Sequence, residues 1–237
     1  MTQLLAFDTA TEQMSIALQV RGAVWLHEGA GGALASAALV PSIMGLLARA
    51  GVGLNDLDAI AFGRGPGAFT GLRTACSVAQ GLAFGAGLPV LPIDTLLAVA
   101  EDARQETGCR QIWVAMDARM GEIYAAHCAF DAGQWRTLVP PMLTTPEALN
   151  ALWQREPAEA VAGSALSAFA AALECGAARR VPQALPRARA LLALAEALWQ
   201  QGGAVEAAQA LPLYVRDKVA QTTLERDAIR ASRELAG

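Results

Sequence analysis

A glycine-rich run from Gly63 to Arg73 holds the residues with the most obvious potential for chemistry in this chain of 237 amino acids. Four glycines and one proline fall within it, directly after the apolar segment Asp58–Phe62 and next to a helical pattern over Thr70–Phe84. Where a strand passes through a loop into a helix, backbone N–H groups face outward and the helix N-terminus carries partial positive charge. Such a loop suits either a phosphate group or a closely packed neighbour.

The loop differs from two familiar phosphate-binding signatures. It lacks the Gly-Lys-Ser/Thr ending of a P-loop, and its third glycine comes one residue early for a dinucleotide-binding fingerprint. Its two arginines, Arg64 and Arg73, are candidates for binding an anion. The alternative is structural, because the glycines would let the turn sit tightly against a helix or another subunit. The positions assigned to the loop site are Gly63, Arg64, Gly65, Pro66, Gly67, Phe69, Thr70, Gly71 and Arg73.

A second candidate is the short segment Asp8–Thr11, between the first two predicted strands. An acidic residue in a turn after a buried strand can hold a metal ion and phosphate, and neighbouring hydroxyls and amides can assist. Asp8, Thr9 and Thr11 are therefore predicted to form a vestigial phosphate turn. The alternative is an Asx or Ser/Thr turn that only closes the hairpin.

Other catalytic patterns are missing from the sequence. His27 and His127 are too far apart in sequence to form a zinc-binding pair, and both are predicted to be ordinary, partly exposed strand residues. Ser164 follows a glycine without completing a Gly-x-Ser-x-Gly elbow. The cysteines show no metal-binding spacing, which favours free thiols in a reducing cytoplasm. We therefore predict no catalytic residue and no bound metal.

The carboxylates next to arginines are predicted to be structural. Glu101 and Asp102 lie on the surface of a predicted helix, where water would solvate them. Asp117 and Glu122 flank a predicted hairpin turn and are expected to pair with Arg119.

Composition narrows the class of protein further. The net charge is −4, 54% of the residues are hydrophobic and 5% are aromatic, which is typical of a globular core built from Ala, Leu and Val. An acidic chain lacks the broad basic surface of a protein that binds nucleic acid alone, so another subunit would supply most of any RNA contact.

The sequence shows no signal-peptide pattern and no apolar stretch of the roughly 18–20 residues that span a membrane. A cytoplasmic location is expected.

Hydrophobic periodicity predicts three strands near the N-terminus and then alternating helices and strands. The order β-β-β-α-β-α-β-α is that of the ribonuclease-H-like half-domain of actin-like proteins. A second unit begins near Cys109 with a hairpin and partly repeats this order. The predicted fold is α/β with two lobes, each a mixed sheet flanked by helices. We assign the N-terminal lobe to residues 1–106, joined by segment 211–237, and the smaller C-terminal lobe to residues 107–210.

The helix after the glycine loop is apolar nearly all round, which indicates burial on more than one side. Small residues recur along it at every fourth position, from Gly71 to Ala83. Packing on the chain's own sheet is the ordinary explanation of such a stripe. The apolar circumference instead favours a subunit contact, shared with the helix over residues 34–50. The predicted contact residues are Leu39, Ile43, Leu46, Leu72, Ala75, Cys76, Ala79, Leu82 and Ala83.

Taken together, several of these motifs resemble the TsaB family, also called YeaZ. The matching segments are Leu5–Thr11, Gly63–Arg73, Val78–Ala83 and Leu213–Arg216, and the resemblance runs from about residue 4 to about residue 220. The resemblance implies an actin-like fold. It also implies a role in forming threonylcarbamoyladenosine beside the anticodon of tRNAs that read codons starting with A.

The resemblance further implies a non-catalytic scaffold that requires no cofactor and binds nucleotide weakly at most. The expected partner is a TsaD-type enzyme, which binds metal and transfers the threonylcarbamoyl group from its adenylate. A TsaE-type ATPase joins this heterodimer, the isolated chain forms a homodimer, and tRNA binds mainly through the partner. The alternative that the residues leave open is an actin-like ATPase or kinase that uses Asp8 and the glycine loop on its own nucleotide.

Overall fold

The computed structural model describes residues 2–216 and contains two five-stranded sheets flanked by helices. The strands are β1 (Leu4–Asp8), β2 (Gln13–Val20), β3 (Ala23–Ala30), β4 (Ala59–Gly65), β5 (Val90–Asp94), β6 (Gln111–Arg119), β7 (Glu122–Asp131), β8 (Gln134–Thr144), β9 (Ala160–Ala162) and β10 (Arg179–Val181). The helices are α1 (Ala35–Ala50), α2 (Phe69–Ala86), α3 (Thr95–Thr107), α4 (Pro146–Arg155), α5 (Ala165–Ala168) and α6 (Ala188–Gln200). Among the described helices, none is both long and apolar enough to cross a membrane.

Both sheets share one topology. The first has the order β3-β2-β1-β4-β5, in which β1 to β3 form an antiparallel meander and β4 and β5 run parallel to β1. The second has the order β10-β9-β6-β7-β8 and repeats the meander and the parallel pair. Parallel neighbours require crossover connections, which the helices supply. The predicted α/β fold with two actin-like lobes is confirmed.

Strand alternation divides the core of the first sheet between its two faces. On β1, Leu5 and Phe7 belong to the apolar cluster under α1 and α2, whereas Leu4 and Ala6 pack against α6. All four side chains are fully buried. Because β1 is central and covered on both faces, its end is a rigid support for the residues that follow it.

Helix α6 belongs to the N-terminal lobe, although the predicted boundary at residue 210 assigned it to the C-terminal lobe. This helix lies on the first sheet, because the apolar side chains of Leu191 and Leu194 cover the sheet face that α1 and α2 leave open. Val205 then pairs with Val90 beside β5, and Ala210 is buried in the core under α2. Residues 188–210 thus extend the N-terminal lobe, and so do the first residues of the predicted segment 211–237. Residues 217–237 lie outside the described part of the chain.

Two helix starts differ from their predicted positions. Helix α2 begins at Phe69 with Ala68 as its N-cap residue, so Thr70, the predicted cap, lies inside the first turn. Helix α1 runs without interruption through Pro41, where a kink or a later start was expected. The hydrogen bond that Pro41 cannot donate would run to Ala37, which is solvent-exposed, so water can satisfy that carbonyl.

Two elements of the second lobe also differ in length from the prediction. Strand β8 continues through Pro140 and Pro141, because it is an edge strand and does not need every N–H for pairing. Helix α5 ends at Ala168 and does not extend to Leu173 as predicted.

Candidate functional site

Asp8, at the end of β1, points into the protein and is buried. Its Oδ1 accepts a hydrogen bond from the backbone N–H of Ala10 at 2.6 Å, and its Oδ2 accepts one from the hydroxyl of Thr95 at 3.0 Å. That hydroxyl in turn accepts the N–H of Gly65 at 3.1 Å. Burial raises the pKa of Asp8 to about 6, and the two hydrogen bonds partly oppose this rise. The carboxylate thus ties β1 to the glycine loop and to the start of α3.

The two threonines of the predicted phosphate turn have different positions. Thr9 is buried and donates its hydroxyl to the carbonyl of Gly71 at 2.7 Å. Thr11 closes a local turn, in which its hydroxyl accepts the N–H of Gln13 and donates to the carbonyl of the same residue, both at 3.1 Å. Of the predicted residues Asp8, Thr9 and Thr11, only Thr11 lines the cleft described below.

The glycine loop rests directly on the turn between β1 and β2. A Cβ atom on Gly71 would lie 1.9 Å from the carbonyl oxygen of Thr9, and one on Gly67 would lie 2.7 Å from that of Ala10. The N–H of Ala68 donates to the carbonyl of Ala10 at 2.8 Å. Such distances exclude any side chain at these positions. The observed contacts therefore match the close-packing interpretation of the loop.

The C-terminal part of the described chain covers the other side of this loop. The N–H of Leu213 donates to the carbonyl of Arg64 at 2.7 Å. Gly65 has a φ of +113°, and a Cβ atom there would lie 2.7 Å from the carbonyl oxygen of Leu213. Because the β1–β2 turn and residue 213 hold the loop from both sides, its conformation is fixed by the chain itself.

Both arginines of the loop contact other side chains of the same chain. The Nε of Arg64 pairs with a carboxylate oxygen of Asp94 at 2.5 Å. Arg73 donates from Nε to the hydroxyl of Tyr214 at 3.2 Å, and its guanidinium lies 3.8 Å from the centre of the Phe69 ring. The rings of Phe69 and Tyr214 are 5.6 Å apart. Arg73 thus helps to hold the C-terminal segment against α2.

A cavity of about 660 Å³ lies between the two lobes. Its walls are the β1–β2 turn, the glycine loop, the β6–β7 hairpin and residues 213–216, and most of the side chains that line it are apolar. Arg119 crosses this cleft, with a nitrogen 3.0 Å from a carboxylate oxygen of Glu12 and another 3.4 Å from one of Asp117. The cleft is the position at which a ligand could contact both lobes.

Arg216 anchors the C-terminal segment to the second lobe. Its guanidinium lies 2.7 Å from a carboxylate oxygen of Glu122 and donates to the carbonyl of Ala118 at 2.9 Å. Glu122 was predicted to pair with Arg119, but Arg216, which is distant in sequence, takes its place. The two arginines that line the cleft, Arg119 and Arg216, are therefore both already paired with carboxylates.

The sequence matches known proteins along most of its length. A protein-family model described as TsaD: tRNA N6-adenosine threonylcarbamoyltransferase matches residues 34–223. A Haemophilus influenzae protein named tRNA threonylcarbamoyladenosine biosynthesis protein TsaB is 38% identical, and the alignment covers 91% of this chain and 94% of that protein. The chain belongs to the TsaB family.

Two further matches support the assignment of this chain to the TsaB family. The Escherichia coli protein of the same name is 35% identical, with 92% of this chain and 96% of that protein aligned. The solved structure of YeaZ from Pseudomonas aeruginosa has a TM-score of 0.83 and 39% identity, and it covers 90% of this chain and 100% of that one. Fold and sequence thus identify the same family.

The predicted contact residues of the TsaB-family chain lie mostly in its own core. Eight of the nine are buried, and Leu82 is half-buried against them. The small residues at positions such as Ala75 and Ala79 let α2 lie close to the sheet, which is the ordinary explanation of the stripe. The residue-level prediction is therefore corrected for the eight buried side chains, which cannot meet a partner while the lobe is folded, whereas the half-buried Leu82 stays a predicted contact residue.

The solvent-facing sides of α1 and α2 carry a different apolar set, which we call the exposed helix face. Phe84 is 85% exposed and Met44 is 49% exposed. The complete set is Val40, Met44 and Phe84 with Gly45, Gly81 and Gly85, together with Leu34, which directly precedes α1. A Cβ atom on any of these glycines would meet nothing within 4 Å. The sequence contained a signal for this face, since Val40 and Met44 are four residues apart, as are Gly81 and Gly85.

Glu101, predicted to be solvated, is instead 2% exposed. Its carboxylate accepts hydrogen bonds at 2.8–2.9 Å from Arg104, Gln105 and the indole N–H of Trp135. Burial alone would raise the pKa of Glu101, but the three donors and the charge of Arg104 together hold it below its usual range. This carboxylate therefore joins α3 to β8.

His127, predicted to be partly exposed, is also buried. Its ring stacks on that of Trp113, with centroids 4.6 Å apart, and Nδ1 lies 3.7 Å from a carboxylate oxygen of Glu156. Neither ring nitrogen has a hydrogen-bond partner among the described residues. Burial lowers the pKa of His127, and the partial contact with Glu156 opposes this only in part. Within residues 2–216, no group of three His, Cys, Asp or Glu side chains could hold a metal ion.

Proposed function

We propose that this chain is a non-catalytic cytoplasmic subunit in the formation of threonylcarbamoyladenosine on tRNAs that read codons starting with A. It pairs with a TsaD-type transferase through the exposed helix face. The names of the relatives support the pathway. The exposed helix face, with Phe84 85% exposed, is the observation that carries the pairing.

The chemistry of this face suits a protein partner. Highly exposed large apolar side chains favour a protein contact, and aromatic residues and methionine are enriched in interfaces. Beside Phe84, the open glycines Gly81 and Gly85 leave the backbone of α2 accessible to a closely approaching helix. The TsaD-type chain occupies this face in the working complex, and a TsaE-type ATPase joins the pair. In the absence of the partner, a second copy of the chain covers the same face.

The contacts of the cleft support a binding subunit more than an ATPase. Asp8, the residue that would hold metal and phosphate, is committed to Ala10 and Thr95 inside the fold. A polyphosphate in the cleft would also meet the carboxylates of Glu12 and Asp117, whose arginine partner is already engaged. No cofactor is required in this account. The net charge of −4 supports tRNA binding mainly through the partner.

A transfer assay with purified components tests the proposal. Threonylcarbamoyl-adenylate and tRNA are incubated with this chain alone, with its cognate TsaD-type protein alone, and with both. We expect no modified adenosine from this chain alone and the fastest modification from the pair. Modification by this chain alone, or a rate with TsaD that this chain does not change, would contradict the proposal.

The alternative, an actin-like ATPase or kinase, is tested by calorimetry of the isolated chain with Mg-ATP. We expect at most weak binding and no turnover. Micromolar binding, with a turnover that Asp8→Ala abolishes, would favour the enzyme instead.

A further inference from the structure

A second cavity, of about 320 Å³, lies between α3, α6 and the β7–β8 hairpin. It shares no lining residue with the cleft between the lobes. Arg64 of the glycine loop lines this cavity and does not line the cleft. The glycine loop thus forms part of the wall of the cleft and also supplies Arg64 to a separate cavity.

Asp94 holds the guanidinium of Arg64 in one orientation but, among residues 2–216, leaves some of its N–H groups without a hydrogen bond. Its Nε is held by Asp94 at 2.5 Å, and the side chain is 39% exposed. Its two terminal nitrogens make no hydrogen bond to any residue in the described range 2–216. The terminal fork of a guanidinium matches the two oxygens of a carboxylate, and prior orientation reduces the entropy lost on binding.

Apolar side chains form one wall of this cavity, which Asp94, Glu101 and Arg104 also line. Leu97 of α3, Trp135 of β8 and Leu194 of α6 line it. The indole ring of Trp135 is held in place, because its N–H donates to the buried carboxylate of Glu101 at 2.9 Å. The other arginine of the cavity, Arg104, is occupied by Glu101 and by the Phe130 ring, 4.2 Å away. Among residues 2–216, Arg64 is therefore the lining arginine whose two terminal nitrogens are both unbonded, whereas Arg104 binds Glu101 through Nε and one terminal nitrogen.

We propose that this cavity binds a small monocarboxylate with a flat apolar body. The carboxylate accepts two hydrogen bonds from the terminal nitrogens of Arg64, and the apolar body lies against Trp135 and Leu97. A monocarboxylate is favoured over a dianion such as a phosphate monoester, because the repulsion from Asp94 and Glu101 grows with the negative charge of the ligand. The cavity is at the small end of the range for ligand pockets, which limits the ligand to a small molecule. This site does not depend on the proposed pairing with TsaD.

The probes are 3-phenylpropionate and its neutral amide, 3-phenylpropanamide, which differ in charge but hardly in shape. Each is titrated into the full-length chain, and the NMR shifts of the Trp135 indole N–H and the Arg64 Nε–H are followed. We expect saturable shifts of both signals with the carboxylate and roughly tenfold weaker binding of the amide, as for loss of a charge-assisted hydrogen bond. Equal affinity for both probes, or no saturable shift with the carboxylate, would overturn the proposal.

Variants locate the binding. Arg64→Gln should lose the preference for the carboxylate, Arg64→Lys should retain part of it, and Arg73→Gln should bind like the unaltered chain. Ala193→Phe fills the cavity from an exposed position of α6 and should abolish binding while the dispersion of the NMR spectrum shows an intact fold. If Arg64→Gln misfolds, Ala193→Phe decides alone: unchanged binding in that variant would overturn the assignment.

Discussion

The carboxylate of Asp8 occupies the space in which residue 63 would carry a side chain. A Cβ atom on Gly63 would lie 1.7 Å from Oδ2 of Asp8. Asp8 ends β1, and Gly63 lies directly after the last residue of β4 that pairs with β1 in this parallel arrangement. The Asp8 turn and the glycine loop are thus one packed unit, although the sequence presents them as two separate phosphate sites.

Gly63→Ala should destabilise the protein strongly. The added methyl group must displace the buried carboxylate from its hydrogen bond with Thr95, so we expect a loss of more than about 2 kcal/mol in the free energy of unfolding. Urea denaturation measures this loss. Gly81→Ala is the matched control, because its Cβ meets open space, and removal of a helical glycine should add about 0.5–1 kcal/mol. Equal effects of the two substitutions would show that the contact with Asp8 is unimportant.

Asp8 should make stability fall as pH rises from about 4 to about 6. Its pKa in the folded state is raised from 3.8 to about 6, so the folded state binds the proton more tightly than the unfolded state. The stability that it contributes is fully present below the unfolded pKa and is lost as pH rises through the folded pKa, by about 3 kcal/mol in total. Asp8→Asn removes this titration. We expect the difference in unfolding free energy between the variant and the unaltered chain to change across this window, and a constant difference would contradict the assignment.

His127 should make the stability of the protein fall as pH decreases, which is the opposite of the effect of Asp8. Its pKa is lowered by burial, so its neutral form favours the folded state, and the stability that it contributes is lost as pH falls below about 6.5. His127→Phe keeps a ring against Trp113 and removes the two ring nitrogens, which have no hydrogen-bond partner within the described part of the chain. Thermal unfolding at a series of pH values should show a smaller acid-induced loss for this variant. Parallel curves for both proteins would mean that His127 does not titrate in this range.

Glu101→Gln should cost about 2–4 kcal/mol of stability, because Arg104 would lose a charged partner in a part-buried site and one of the donors would face an amide N–H₂ group. The control is Glu106→Gln on the same helix, whose carboxylate is exposed and, among residues 2–216, accepts a hydrogen bond only from Gln183. We expect this control to stay within about 0.5 kcal/mol of the unaltered chain. Chemical denaturation of both variants provides the comparison.

The sequence predicts the strands, most helices and the two-lobe architecture, because hydrophobic periodicity is a local property of the chain. It does not predict which face of α2 is covered. The apolar residues around this helix are equally compatible with a sheet or a partner on either side, so Ala79 was assigned to the wrong surface. Contacts between distant segments were also missed, such as Asp8 with Thr95 and Arg216 with Glu122. In each case the pairing depends on the packing of whole lobes, which no local pattern encodes.

The affinity of this chain for its cognate TsaD-type protein tests the central claim most directly. It is measured by calorimetry for the unaltered chain, for Gly81→Arg and Phe84→Glu on the exposed helix face, and for Ala151→Arg on the exposed side of α4 as control. Both substitutions in the face leave the core untouched, and hot-spot residues typically account for at least about 2 kcal/mol, or roughly 30-fold in affinity. We predict a loss of at least this size for Gly81→Arg and Phe84→Glu and an unchanged affinity for Ala151→Arg. Unchanged affinity in all three variants would contradict the proposed pairing through α1 and α2.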